Sequence, residues 1–157
     1  MNIFFLDDIP KFAAQYHCDK HVLKMTVESA QIMSTVIRKQ IPDADVYKST
    51  HKNHPCTLWA GDSYDNLWWL YNLSVELCNE YTYRYNKVHK TAAVIERCKS
   101  YFNKLEFPLY EFTTPALAMP DQYKNKFSAV DSYRQYYLND KKDLLKYTKR
   151  EKPRWIK

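Results

Sequence analysis

The chain holds one glycine, Gly61, in 157 residues. Glycine is the residue that enters left-handed backbone conformations without a Cβ clash. Phosphate-cradling loops of the Walker or dinucleotide type need several glycines, and tight two-residue hairpins depend on them too. Neither can be written along this sequence. Elimination therefore favours an all-α fold, a single compact bundle of about five to six helices joined by long ordered loops. A single domain over residues 1–157 is long enough to bury a core without staples.

Periodicity and punctuation place the helices. Ile3–Leu6 reads as extended, and Pro10 suits the first turn of a short helix over 9–16, with Asp8 able to cap it. The clearest helix runs from His17 to Lys39. At 100° per residue, His17, Lys20, His21, Lys24, Glu28, Gln31 and Thr35 fall within an arc of about 100°. Apolar residues border that stripe on both sides, as expected of a mostly buried helix whose polar seam lines a cleft. A solvent-facing stripe is the alternative. Residues 40–63 read as irregular, with His54 held extended by Pro55. Asp62 or Ser63 can cap a helix over 64–86. A further helix is expected over 88–105, a proline-containing loop over 106–126, a helix over 128–139, and a last short one to Tyr147.

Four of the five histidines fall in two runs, His17-Cys18-Asp19-Lys20-His21 and His51-Lys52-Asn53-His54. Imidazole exchanges protons near neutral pH and binds transition metals. A metal site, if there were one, would draw on His17, His21, His51 and His54, with Cys18, Cys56 or Asp19 beside them. No metal-site signature matches, because the residue after the first histidine is Cys18 where a zincin-type helix carries glutamate. No metal or other cofactor is expected. A second arrangement needs neither. His21, Lys24, Glu28 and Gln31 on the seam, with Glu80 and Arg84 from the later helix, would form a buried mixed-charge cleft. A partly desolvated lysine there becomes a nucleophile, and a carboxylate moves protons. The catalytic candidates are His17, Lys20, His21, Lys24, Glu28, His54 and Glu80. The substrate-binding candidates are Gln31, Asn53, Asn66, Trp69, Arg84, Lys87 and His89. A satisfied structural ion pair is the competing reading of each charged member.

The net charge of +6 resides entirely in residues 141–157, which carry eight Lys or Arg against two acids. A basic segment with interleaved Tyr147 and Trp155 suits a polyanion, nucleic acid first. Lys149, Arg150, Lys152, Arg154 and Trp155 are its nucleic-acid-binding candidates. A solvated tail is the alternative. The four cysteines form no C-x-x-C pair, and the acidic start at Asp7-Asp8 is unlike a secretory signal. Free thiols, a cytoplasmic location and no membrane partner are expected.

The opening M-N-I-F-F-L-D, the A-A-Q-Y-H-C-D-K-H-V-L-K-M segment, N-H-P-x-x-x-W at Asn53–Trp59 and E-Y-T-Y-R-Y-N-K-V-H-K at Glu80–Lys90 resemble a group of small phage-encoded proteins. More distantly, the layout resembles the pyrimidine-dimer DNA glycosylases of the endonuclease V type. That resemblance implies an all-α protein with its N-terminus in the catalytic cleft and a helix presenting a catalytic glutamate and arginines. It also implies an aromatic, basic tail, as in Lys152–Lys157. The implied chemistry is imine formation at sugar C1′ by the N-terminal α-amine, a usable nucleophile with a pKa near ~7.7–8. Two departures stand out. The family's amine is freed by Met removal before a small residue, whereas Asn2 follows Met1 here. The position expected for the glutamate reads Asp19-Lys20-His21, with Glu28 more than two turns later. Lys20 or Lys24 then competes as imine former.

Three functions follow from these readings. The first is a DNA-acting enzyme of glycosylase type, excising a lesion or modified base, with or without lyase activity. The second is a non-catalytic phage protein that binds nucleic acid or sequesters a host signalling nucleotide. The third is a metal-dependent hydrolase using the histidines.

Overall fold

The computed structural model describes all 157 residues. It is all-helical: α1 (Pro10–Tyr16), α2 (Asp19–Gln40), α3 (Pro55–Asp62), α4 (Tyr64–Tyr85), α5 (Ala92–Tyr101) and α6 (Ala129–Asp140). Short 3₁₀ turns cover Phe102–Lys104, Asp121–Tyr123 and Lys142–Leu144. Extended pairing is confined to one isolated bridge between Ser63 and Leu109.

The two 22-residue helices, α2 and α4, pack against each other at the centre. Helix α2 has no proline or glycine. It carries Asp19 in its first turn and Arg38 and Lys39 in its last, each matched to the helix dipole. It also packs on α3 and α5, while α1 lies on α4. Val22, Met25, Ile32, Met33 and Ile37 of α2 meet Leu67, Leu70, Leu73 and Leu77 of α4 in one cluster of 35 buried residues. Burying each such side chain contributes ~1.5–3 kcal/mol.

The N-terminal segment is part of this core, since Asn2–Leu6 are all buried. Its path is held by Asn2, whose Oδ1 accepts the N–H groups of Ile3 (2.8 Å) and Phe4 (3.0 Å). Phe4 sits at φ 40°, a strained value for a residue with a Cβ. Its ring stacks on His21 at 4.5 Å and on Tyr136 at 5.9 Å, and that packing holds the conformation.

Several boundaries differ from those read in the sequence. His17 caps the C-terminus of α1, and α2 begins only at Asp19. Asp8 does not cap α1. Ile9 occupies that position, and its N–H is taken by Asp7. The stretch 40–63 contains α3, which starts because Pro55 stands at its first turn and His54 Nδ1 accepts the Cys56 N–H at 3.1 Å. Helix α4 ends at left-handed Asn86, so α5 starts at Ala92 and not at 88. No helix runs on to Tyr147; only the 3₁₀ turn at Lys142–Leu144 forms.

Candidate active site

Three groups meet at Glu28, two from the N-terminus and one from its own helix. Glu28 is 8 % exposed and lies on the buried border of α2. Its Oε2 accepts the Asn2 N–H at 2.9 Å and stands 3.6 Å from the α-ammonium of Met1. Its Oε1 is 3.6 Å from Lys24 Nζ, one helical turn earlier. The Met1 side chain is only 2 % exposed, although the residue as a whole is partly open. The open part is therefore main chain, and the buried side chain anchors it. Asn2 Nδ2 completes the anchor by donating to Ala118 O at 2.8 Å.

His54 and Cys56, at the start of α3, feel both charges of this pair. Burial lowers the His54 pKa first, the N-terminal ammonium and His51 add to this, and Glu28 opposes it. Because Nδ1 accepts the Cys56 N–H, the proton of neutral His54 resides on Nε2. Burial pushes the Cys56 thiol up to about 11, which removes it as a nucleophile. Tyr133 of α6 lies against Cys56. Its hydroxyl donates to Ala116 O at 2.6 Å, accepts the Ala118 N–H at 3.3 Å, and interacts with Cys56. An anchored amine, a carboxylate and a neutral imidazole thus lie within electrostatic reach of one another.

The expected single cleft is divided in two. Glu80 and Arg84 do not join Glu28. Arg84 is buried and donates to Glu80 (2.8 Å), Asp19 (3.1 Å) and Gln15 O (3.1 Å). Arg150 binds Glu80 through two nitrogens at 2.8 and 3.0 Å. Thr148 donates to both Asp19 oxygens, which with Arg84 holds the Asp19 carboxyl below its usual range despite burial. This network clamps the tail onto α2 and α4.

The histidines do not converge on a metal, and no three His, Cys, Asp or Glu side chains are grouped to hold one. His17 is fully buried, donates Nδ1–H to Ala13 O at 2.7 Å, and leaves Nε2 without a partner. Burial lowers its pKa to about 4. His21 Nδ1 pairs with the Tyr137 hydroxyl at 2.7 Å. Burial, then His17, Lys141, Lys24 and Lys20, lower its pKa to about 3. These two support the N-terminal segment from beneath, through Phe4. His51 is exposed and bonded to Thr50 at 2.8 Å. His89 is buried, with Nε2 donating to Leu23 O and Nδ1 accepting the Thr91 N–H.

The remaining candidates scatter. Asn66 is buried and bonded to Trp59 O and twice to Thr113. Trp69 packs on Phe5 and donates to Asp8 O. Gln31 is half-buried on α2, and Lys20, Asn53 and Lys87 are exposed. In the tail, Lys149 donates to Tyr83 O and Arg150 faces Tyr83 as well as Glu80. Lys152 and Arg154 are exposed, and together with Trp155, Tyr16 and Arg134 they line an open groove. Asn2 and Tyr133 are absent from the site candidates read in the sequence, and Cys56 enters there only as a metal-ligand candidate. Only the position of Asn2 beside the amine could have marked it.

The model of the pyrimidine dimer DNA glycosylase family matches residues 1–93. The chain belongs to that family. The match takes in the amine, Glu28, His54 and the Glu80–Arg84 pair, and stops before α6 and the tail. No curated protein and no solved structure matches the chain. In this glycosylase-family chain the carboxylate beside the amine is Glu28. Asp19-Lys20-His21 leaves the amine to Glu28, because the N-terminal segment crosses α2 more than two turns beyond its start. No helix is long and apolar enough to cross a membrane.

Proposed function

We propose that the chain is a DNA glycosylase with associated lyase activity, using the Met1 α-amine as nucleophile. One observation carries the reading: the amine lies 3.6 Å from Glu28, while the next N–H is bonded to the same carboxylate oxygen. The amine is thereby fixed in direction, the pre-organisation that such a reaction needs. Glu28 takes a proton from the ammonium, freeing its lone pair. That pair attacks sugar C1′, the C1′–base bond breaks with its electrons, and the departing base is protonated. Glu28 takes the second amine proton, the nitrogen lone pair expels O4′ from C1′, and that proton passes to O4′, which opens the sugar ring and leaves a protonated imine. Removal of a proton from C2′ by Glu28 then expels the 3′-phosphate and nicks the strand.

His54, whose charge balance the amine and Glu28 set, offers Nε2–H to the sugar oxygen or the leaving base. Lys24, whose side chain is 60 % exposed, is the second amine at Glu28 and the competing imine former. Met1 is favoured because its side chain is anchored and that of Lys24 is not. The substrate must be everted, since C1′ chemistry on a stacked base is blocked. Lys152, Arg154 and the exposed lysines supply the phosphate contacts. The resemblance to phage-encoded proteins supports the cytoplasm of an infected bacterium as the site of action.

The test is borohydride trapping on UV-damaged, abasic and undamaged duplexes, with mass mapping of the adduct. Adduct on Met1 that is lost in Glu28→Gln is the expected result. Adduct on Lys24 replaces the nucleophile. Neither adduct nor nicking on any substrate refutes the reading.

A further inference from the structure

A cavity of about 650 Å³ lies between the last turns of α2, helix α3 and the loops 42–53 and 106–108. That volume is in the range of small-molecule sites. Its walls are fixed by side chains of α2. Arg38 donates to Pro42 O (2.6 Å), Val46 O (3.2 Å) and Tyr47 O (2.8 Å). Thr35 Oγ1 accepts the Thr50 N–H at 3.0 Å. Gln40 exchanges two hydrogen bonds with the Glu106 backbone, at 2.8 and 2.9 Å. The cavity is therefore preformed.

Two independent observations mark it as a site. Thr57 lines it and is 4 % exposed, yet its Oγ1 has no hydrogen-bond partner. A hydroxyl buried in that way lacks the group that would satisfy it. Gly61, the one glycine of the chain, lines it too. It lies inside α3, does not end that helix, and has no positive φ. A Cβ there would touch only Val36, at 3.6 Å, an ordinary contact. Neither backbone geometry nor a clash demands glycine, and glycine weakens a helix. What it leaves is room in the cavity.

The side chains not spent on bracing define what fits. Lys39 and Lys52 bring cations, Asp62 and Glu106 carboxylates, and Asn53 and Thr57 an amide and a hydroxyl. No aromatic ring lines the wall, so a nucleobase would find nothing to stack on. A polyphosphate would meet two carboxylates at close range. One phosphate on the lysines, with sugar hydroxyls donating to the carboxylates, satisfies both signs.

We infer that this cavity binds a sugar bearing a single phosphate. Two sources share that chemistry, a free pentose phosphate and the backbone of a nucleic-acid strand. Asn53 lines the cavity, and the next residue, His54, feels Glu28 and the amine. Thr35 follows Glu28 on α2 by ~10 Å. At ~3.4 Å per nucleotide, a strand attacked at the amine would seat a sugar phosphate roughly three nucleotides away. The strand source rests on the glycosylase reading; the binding site itself does not.

The test titrates the full-length protein with 2-deoxyribose 5-phosphate by calorimetry, with 2-deoxyribose and inorganic phosphate as controls. Wild type is expected to bind the sugar phosphate at least tenfold more tightly than either control. Thr57→Val, which retains shape and removes the hydroxyl, and Lys52→Ala should each weaken it about tenfold. Gly61→Leu fills the cavity and should abolish binding, and the smaller Gly61→Ala should weaken it severalfold at an unlowered melting temperature. Borohydride trapping is then run on abasic strands carrying an uncharged methylphosphonate at successive positions. A position-specific drop in wild type that is absent in Gly61→Leu assigns the strand as source. Binding of the free sugar phosphate without such a drop assigns the small molecule. Neither binding nor a drop, binding no tighter than that of the controls, or binding unchanged in Lys52→Ala and Thr57→Val overturns the inference. Absence of any wild-type adduct refutes the glycosylase reading instead, and calorimetry still decides the cavity.

Discussion

Acid should loosen the support under the amine before it touches any carboxylate. His17 and His21 are buried neutral, with pKa values lowered to about 4 and about 3. In the unfolded chain both return to about 6.5. Between these limits the unfolded state binds more protons, so stability falls as pH drops through about 6.5 towards 4. Each histidine contributes ~1.4 kcal/mol per pH unit over that window. From pH 6.5 to 4.5 the two together remove on the order of 5 kcal/mol, comparable with the whole stability of many domains. His54 and His89, whose pKa values are also lowered by burial, act in the same direction. Asp19, held below its usual range, contributes only at lower pH, so the window belongs to the histidines. Urea unfolding at half-unit steps from pH 7 to 4.5 measures the slope. His21→Phe, which retains a ring against Phe4, should flatten it by about one proton. Stability that is level across this window, or a slope unaltered in His21→Phe, refutes the argument.

Other consequences are more local. Glu28→Gln should reduce nicking of abasic DNA by ~10²–10⁴-fold while duplex affinity is retained, measured by single-turnover cleavage beside a binding titration. Glu80→Ala leaves Arg84 buried with only Asp19 for charge and removes the anchor of Arg150, so a loss of ~3–5 kcal/mol is expected in urea unfolding. Asn2→Ala deletes three hydrogen bonds that fix the N-terminal path and places a small residue after Met1. Intact mass should show Met1 removed, and trapping should slow at unchanged duplex affinity. Chelation with EDTA should leave nicking unaltered, because the histidines are engaged singly.

The sequence by itself determined the helical character. One glycine and long apolar periods leave little else, and α2 and α4 begin and end within two residues of where those periods place them. It also marked Glu28, Lys24 and His54, since polar groups on an otherwise apolar helix and before a proline stand out. It could not separate the two carboxylate clusters. Glu28 and Glu80 look alike in periodicity, and only the packing of α2 on α4 directs one to the amine and the other to Arg84 and Arg150. Nor could it see that the amine belongs to Glu28. That placement depends on Asn2 bonding Ala118, more than a hundred residues away, and on Phe4 being held in a strained conformation by His21 and Tyr136. Local patterns record which residues repeat along an element. Which termini and loops cross that element is decided by contacts between distant segments, and those form only when the core closes.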